Sequence, residues 1–153
     1  MRVWMAVAAL GSMGGCLKPA EIEVSDAWVR LPAAAGRPGS GYFTLTGGAQ
    51  GTTLISVRSD LAIRTEMHAT MRIEGAAGKG GGMGAMTMRP LDAVPLAAEG
   101  EVRFAPGGRH LMLYGVSPSL KPGGTSILTF TFADGSRLER KAWAIGPGDL
   151  APE

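Results

Sequence analysis

Cysteine is almost missing from the 153 residues: Cys16 stands alone. One thiol cannot build a disulfide framework within the chain, nor a metal site made of cysteines. Charge of one sign is also lacking. Fifteen Lys and Arg face thirteen Asp and Glu, a formal +2. That excess is too small for the dense basic face of a nucleic-acid binder, so no nucleic-acid partner is expected. Long apolar runs are absent, since the stretch from Val3 to Leu10 covers only eight residues and a bilayer-spanning helix needs about 20. No Gly-X-Ser-X-Gly elbow and no cysteine beside a base is present, and nothing marks a working carboxylate pair, so catalysis is not expected. Aromatics are few, at 6%, yet 45% of the residues are hydrophobic, enough for a packed core.

The first segment reads as a targeting signal. Arg2 precedes the short apolar run, and small residues then lead to the cysteine: Leu10-Gly11-Ser12-Met13-Gly14-Gly15-Cys16. This resembles a bacterial lipobox, in which the cysteine sulfur is lipidated and becomes the first residue of the mature chain. The expected layout is a lipoprotein-type signal peptide over 1–15 and a short linker over 16–20. A domain over 21–146 and a tail over 147–153 follow. Plain secretion with cleavage near Ala20, or a buried helix, are the alternatives. The first two readings place the mature chain outside the cytoplasm, in the periplasm or on the extracytoplasmic face of the membrane. Leu17 rather than Asp after the cysteine points to an outer membrane, should the source have one.

Glycine and proline are abundant, 24 and 10, and they punctuate the remainder into short β-rich runs. No window from Ala20 onward keeps a helical apolar spacing for three turns. Strands are expected at Glu21–Leu31, Gly41–Thr46, Thr53–Ser59, Ile63–Ile73, Met86–Pro90, Glu101–Ala105, His110–Val116, Thr125–Phe132 and Arg137–Ala144. Leu128, Phe130 and Phe132 alternate with Thr129 and Thr131, one face apolar and one polar. Asp134-Gly135 then supplies a hairpin turn. Gly75 to Gly84 reads as a flexible loop. This is an all-β fold, a Greek-key β-sandwich or barrel, with Trp28 and Trp143 expected as core aromatics. Arg72, Lys79 and Arg89 are expected to be solvated, or else to dock an acidic partner.

The thioethers and imidazoles are gathered. Outside the leader the chain has six methionines, Met67, Met71, Met83, Met86, Met88 and Met112, and two histidines, His68 and His110; all eight lie between residues 67 and 112. Packing of a Met-filled core beside two surface histidines would account for this without function. The donor chemistry favours a metal. Thioether sulfur is soft and neutral and binds Cu(I) well, imidazole is a borderline donor, and methionine serves zinc poorly. His110 and Met112, two apart on a strand, project from one face, as do Met86 and Met88.

These residues also carry a family resemblance. Met88, twenty-one residues, His110, Leu111 and Met112 reproduce the second half of a motif that runs His, ten residues, Met, twenty-one residues, His, one residue, Met. Glu66-Met67-His68 with Met71, and Met86-Thr87-Met88-Arg89-Pro90, are similar to the segments around its first His and first Met. Between His68 and Met88, however, nineteen residues intervene, and the glycine-rich loop over 75–84 can absorb the nine extra. The chain thus resembles, over about residues 21–145, the PCuAC family of periplasmic copper chaperones. The resemblance implies a cupredoxin-like barrel and one Cu(I) held by His68, Met88, His110 and Met112. Met83 and Met86 are candidate auxiliary or substitute donors, while Met86, Met67 and Met71 are expected rather as packing or rim residues. The resemblance further implies delivery to the copper subunit of cytochrome c oxidase or to another copper chaperone; the membrane would be reached through the lipid that the lipobox-like segment suggests at Cys16. An envelope copper buffer or resistance protein, or a metal-free lipoprotein module for scaffolding, are the competing readings.

Overall fold

A computed structural model of the chain describes residues 19–72 and 86–152. The leader, Cys16, and the loop that contains Lys79 and Met83 lie outside the described residues. Ten strands follow one another: β1 Glu23–Arg30, β2 Gly39–Thr46, β3 Thr52–Ser59, β4 Ala62–Arg72 and β5 Met86–Pro90, then β6 Val94–Leu96, β7 Glu101–Phe104, β8 Arg109–Val116, β9 Thr125–Phe132 and β10 Arg137–Ile145. No helix occurs among the described residues. The all-β expectation holds, and nine of the ten strands fall where the β-rich runs do.

The strands form one mixed sheet in the order β5-β4-β8-β7-β2-β1-β10-β9-β3-β6, with β8 also pairing β2. Most pairs are antiparallel; β1–β10 and β7–β8 are parallel. The sheet curls, because β3 and β4 are distant in strand order yet lie against each other. There the Thr65 hydroxyl donates to the Val57 carbonyl. Curling closes the apolar faces on one core. Phe43 stacks on Phe104 at 4.3 Å between ring centres and meets Phe130 edge-on at 4.8 Å. Leu45, Leu54, Leu111, Leu113 and Leu128 fill the space around them, all fully buried.

The last hairpin shows how the alternation works. In β9 the residues Ser126, Leu128, Phe130 and Phe132 are buried while Thr129 and Thr131 are not. Gly135 takes φ +83 in the turn, a conformation that costs glycine little. The Asp134 carboxylate accepts from the Ser136 hydroxyl and backbone N–H at 2.6 and 2.9 Å. Those two bonds hold its carboxyl below the usual range.

One expectation is corrected. Trp143 is not a core aromatic: 59% of it is exposed. It shares its face of β10 with the exposed Glu139 and Lys141, while Ala142 and Ala144 point inward. Trp28 is buried, but on the outer face, where it packs on Tyr42 with ring centres 4.3 Å apart and Arg30 lies over its ring. The strand that the β-rich runs did not reveal is β6. Its sequence is Val-Pro-Leu, and Pro95 removes a backbone donor, which is tolerated only because β6 ends the sheet.

Candidate metal centre

Strand β4 lies between β5 and β8, and its alternation sets one outward face. His68 is paired directly with His110 across the β4–β8 ladder, and Glu66 with Met112. On the other side His68 is paired with Pro90 and Thr70 with Met88. Glu66, His68, Thr70, Met112, His110 and Met88 therefore share one face. The imidazole centres of His68 and His110 are 6.0 Å apart, tilted by 31°. Met112 is the next outward residue along β8 from His110. Met88 is one diagonal step from His68, on the strand that ends the sheet. The two thioethers thus flank the imidazole pair from opposite ends.

The first three donors are held and the fourth is not. His110 is 7% exposed, and its Nδ1–H donates to the Gly108 carbonyl at 3.0 Å. A carbonyl can only accept, so Nε2 keeps its lone pair. The His68 side chain is 15% exposed, and its Nε2 lies 3.0 Å from Glu66 Oε2. Donation to that carboxylate leaves Nδ1 as the unprotonated nitrogen. Nδ1 is buried and has no hydrogen-bond partner, an unfavourable state for a polar atom unless something else occupies it. Met112 is partly buried. Met88 is 59% exposed, and its unbranched side chain can swing.

Glu66 is the residue that the motif did not single out. Besides His68 it accepts from the Tyr114 hydroxyl at 3.3 Å and pairs with Arg64 at 3.0 Å. Arg64 in turn lies 4.3 Å from the centre of the Tyr114 ring. The His68 hydrogen bond, aided by the Arg64 charge and the Tyr114 hydroxyl, outweighs partial burial and keeps the Glu66 carboxyl below its ordinary range. Burial and then the Glu66 charge push the Tyr114 phenol up. Glu-X-His on a strand was the available signal, because residues two apart share a face; Tyr114 joins only through the register Arg64 to Tyr114.

The other methionines separate cleanly. Met67 belongs to the hydrophobic core. Met71 is exposed and lies on the opposite face from His68, and Met86 is exposed beyond Met88. Both are rim residues.

The donor set fits a soft monovalent ion. A nitrogen bound at about 2.0 Å puts the ring centre about 3 Å from the ion, so two imidazoles that share one ion stand roughly 5–6 Å apart. The observed 6.0 Å falls at that spacing. Anchoring the second ring nitrogen to a carboxylate or a carbonyl is how metal-binding histidines are oriented. If Glu66 has this role, Glu66→Ala retains one Cu(I) but weakens its binding about 10- to 100-fold. The ¹⁵N shifts of the His68 ring should then show a mixture of tautomers; an unchanged ring spectrum would refute the role.

The curled sheet is that of the PCuAC domains. The copper-bound PCuAC domain from PmoF2 superimposes with a TM-score of 0.63 at 21% identity, over 85% of this chain and 97% of that one. The solution structure of CuI-DR1885 from Deinococcus radiodurans matches at 25% identity and a TM-score of 0.54, over 87% of this chain and 83% of that one. The LpqE-like lipoprotein family model matches residues 22–143, and the chain belongs to that family. A Leifsonia xyli protein with a lipoprotein name, Lxx21020, is 29% identical over 117 residues, 75% of this chain. The chain spans 64% of the length of that relative.

Proposed function

We propose that the protein is a cell-envelope copper carrier that holds one Cu(I) through His68, His110, Met112 and Met88 and passes it to a protein partner. The observation that carries this reading is the pair of oriented imidazoles: His68 Nδ1, buried and unpartnered, on the residue opposite His110, whose Nε2 is unprotonated. The relatives support it. One solved structure is named as copper-bound and another as CuI-bound, and the latter is 25% identical to this chain over the matched region.

The exposure of Met88 suits transfer. A receiving ligand must touch the ion before the donor lets go, and a thioether at the sheet edge is the donor most easily displaced. Neutral thioethers keep the ion monovalent, and with Cys16 consumed by lipid the mature chain keeps no free thiol to be oxidised in an oxidising compartment. The lipobox-like segment and membership of a lipoprotein family support an anchor at Cys16, from which the carrier would work at a membrane surface. The copper domain of cytochrome c oxidase is the recipient we favour. A carrier of this kind has no reaction to catalyse.

Competition against a chromophoric Cu(I) chelator under anaerobic reductant tests the reading. One equivalent is expected, and the loaded protein should then metallate an isolated oxidase copper domain. Failure to bind Cu(I) would remove the carrier. Binding without transfer would leave an envelope copper buffer.

A further inference from the structure

Beneath the imidazole pair, on the other face of the same three strands, lies a second feature. Ala69 is paired with Arg89 on one side and with Arg109 on the other. These residues directly follow His68 and Met88 and directly precede His110, so alternation turns all three away from the donors. Both arginines are exposed, and neither has an ion-pair partner among the described residues. They flank an open groove of about 670 Å³ whose remaining lining includes Ala69, Met71, Pro90 and Leu91.

We propose that this groove docks an extended, acidic segment of the protein that receives the copper. The proposal rests on the carrier reading above and names the chemistry of its partner. Charge is the first argument. The strands β4, β5 and β8 carry Arg64, Arg72, Arg89 and Arg109 against one acid, Glu66, and Glu66 is already paired with Arg64. Two guanidiniums without counter-ions among the described residues therefore face solvent and match carboxylates, which they can bind in forked geometry. Shape is the second. The arginines stand two strand spacings apart, about 9.6 Å along the sheet. Ala69 leaves room between them, and Met71 and Leu91 offer apolar contacts. A strand with acidic side chains at alternate positions and apolar ones between fits this floor, whereas a flat bilayer surface cannot enter a groove. Position is the third. Strand β5 ends the sheet, so a segment seated here occupies the edge whose opposite face carries Met88, the exposed donor.

The test uses ¹⁵N-labelled protein and two synthetic octapeptides, one alternating Glu and Val, the other Lys and Val. The acidic peptide should shift the amides of Ala69, Met71, Arg89 and Leu91. Its affinity should fall about 10-fold or more as NaCl rises from about 20 to about 300 mM. Charge reversal in R89E/R109E should abolish binding, and R89Q/R109Q should weaken it about 10-fold, since charge-assisted hydrogen bonds are lost. Both variants should still titrate with one Cu(I). Equal shifts from the basic peptide would overturn the proposal. So would retention of binding in R89E/R109E, or a response confined to vesicles of phosphatidylglycerol. A wild-type chain that binds the acidic peptide but no Cu(I) would overturn the carrier reading instead and leave the groove as a peptide site.

Discussion

His110→Ala should lower Cu(I) affinity by at least about 100-fold, more than the loss of a ligand's supporting hydrogen bond costs. His110 is nearly buried, and its ring is already turned so that Nε2 is available, so little ordering remains to oppose binding. His68→Ala should behave alike, because it removes the partner imidazole across the ladder. Met112→Leu should cost less, a neutral donor being replaced by an isosteric hydrocarbon with packing preserved. Met88→Leu should cost least in affinity, since the exposed side chain must be ordered to bind, and should slow hand-over instead. None of the four should shift the thermal midpoint of the metal-free protein by more than a few degrees, as all project from the outer face. Chelator competition gives the affinities and calorimetry the midpoints. Wild-type affinity in both histidine variants would end the assignment of the site.

Much of this arrangement can be read from the residues, for a physical reason. A strand with one buried face must alternate, and β9 does so without a break from Ser126 to Phe132. Strand β5 begins and ends where Met86 to Pro90 predicts, because a glycine-rich segment stops at its start and proline stands at its end. The spacing between His68 and Met88 exceeds that of the family motif by nine residues, which the glycine-rich loop over 75–84 is expected to absorb. The ladder agrees: β4 and β5 pair from His68↔Pro90 to Arg72↔Met86 in one register. What escaped is non-local. Trp143 is outward because of its parity with Lys141, a choice fixed by which face of β10 meets the core. The Arg64–Glu66–Tyr114 cluster depends on β4–β8 register, which no local pattern encodes.

The opposite experiment separates framework from site. Phe130→Ala should destabilise the fold by about 3–5 kcal/mol, the usual cost of emptying a core of an aromatic ring. Phe130 is fully buried and meets Phe43 edge-on, and the β9 backbone joins β10 to β3, so the cavity opens where two halves of the sheet meet. Against a total of about 5–15 kcal/mol for a domain, the variant should unfold at markedly lower urea but remain folded in buffer in the cold. There its Cu(I) affinity should equal the wild type's, because Phe130 lies on strand β9, which does not pair with β4, β5 or β8. Cu(I) at about 100 times the wild-type dissociation constant should then restore about 2.7 kcal/mol to Phe130→Ala but at most about 0.4 kcal/mol to His110→Ala. If the metal instead stabilised both variants equally, it would be binding somewhere other than the imidazole pair.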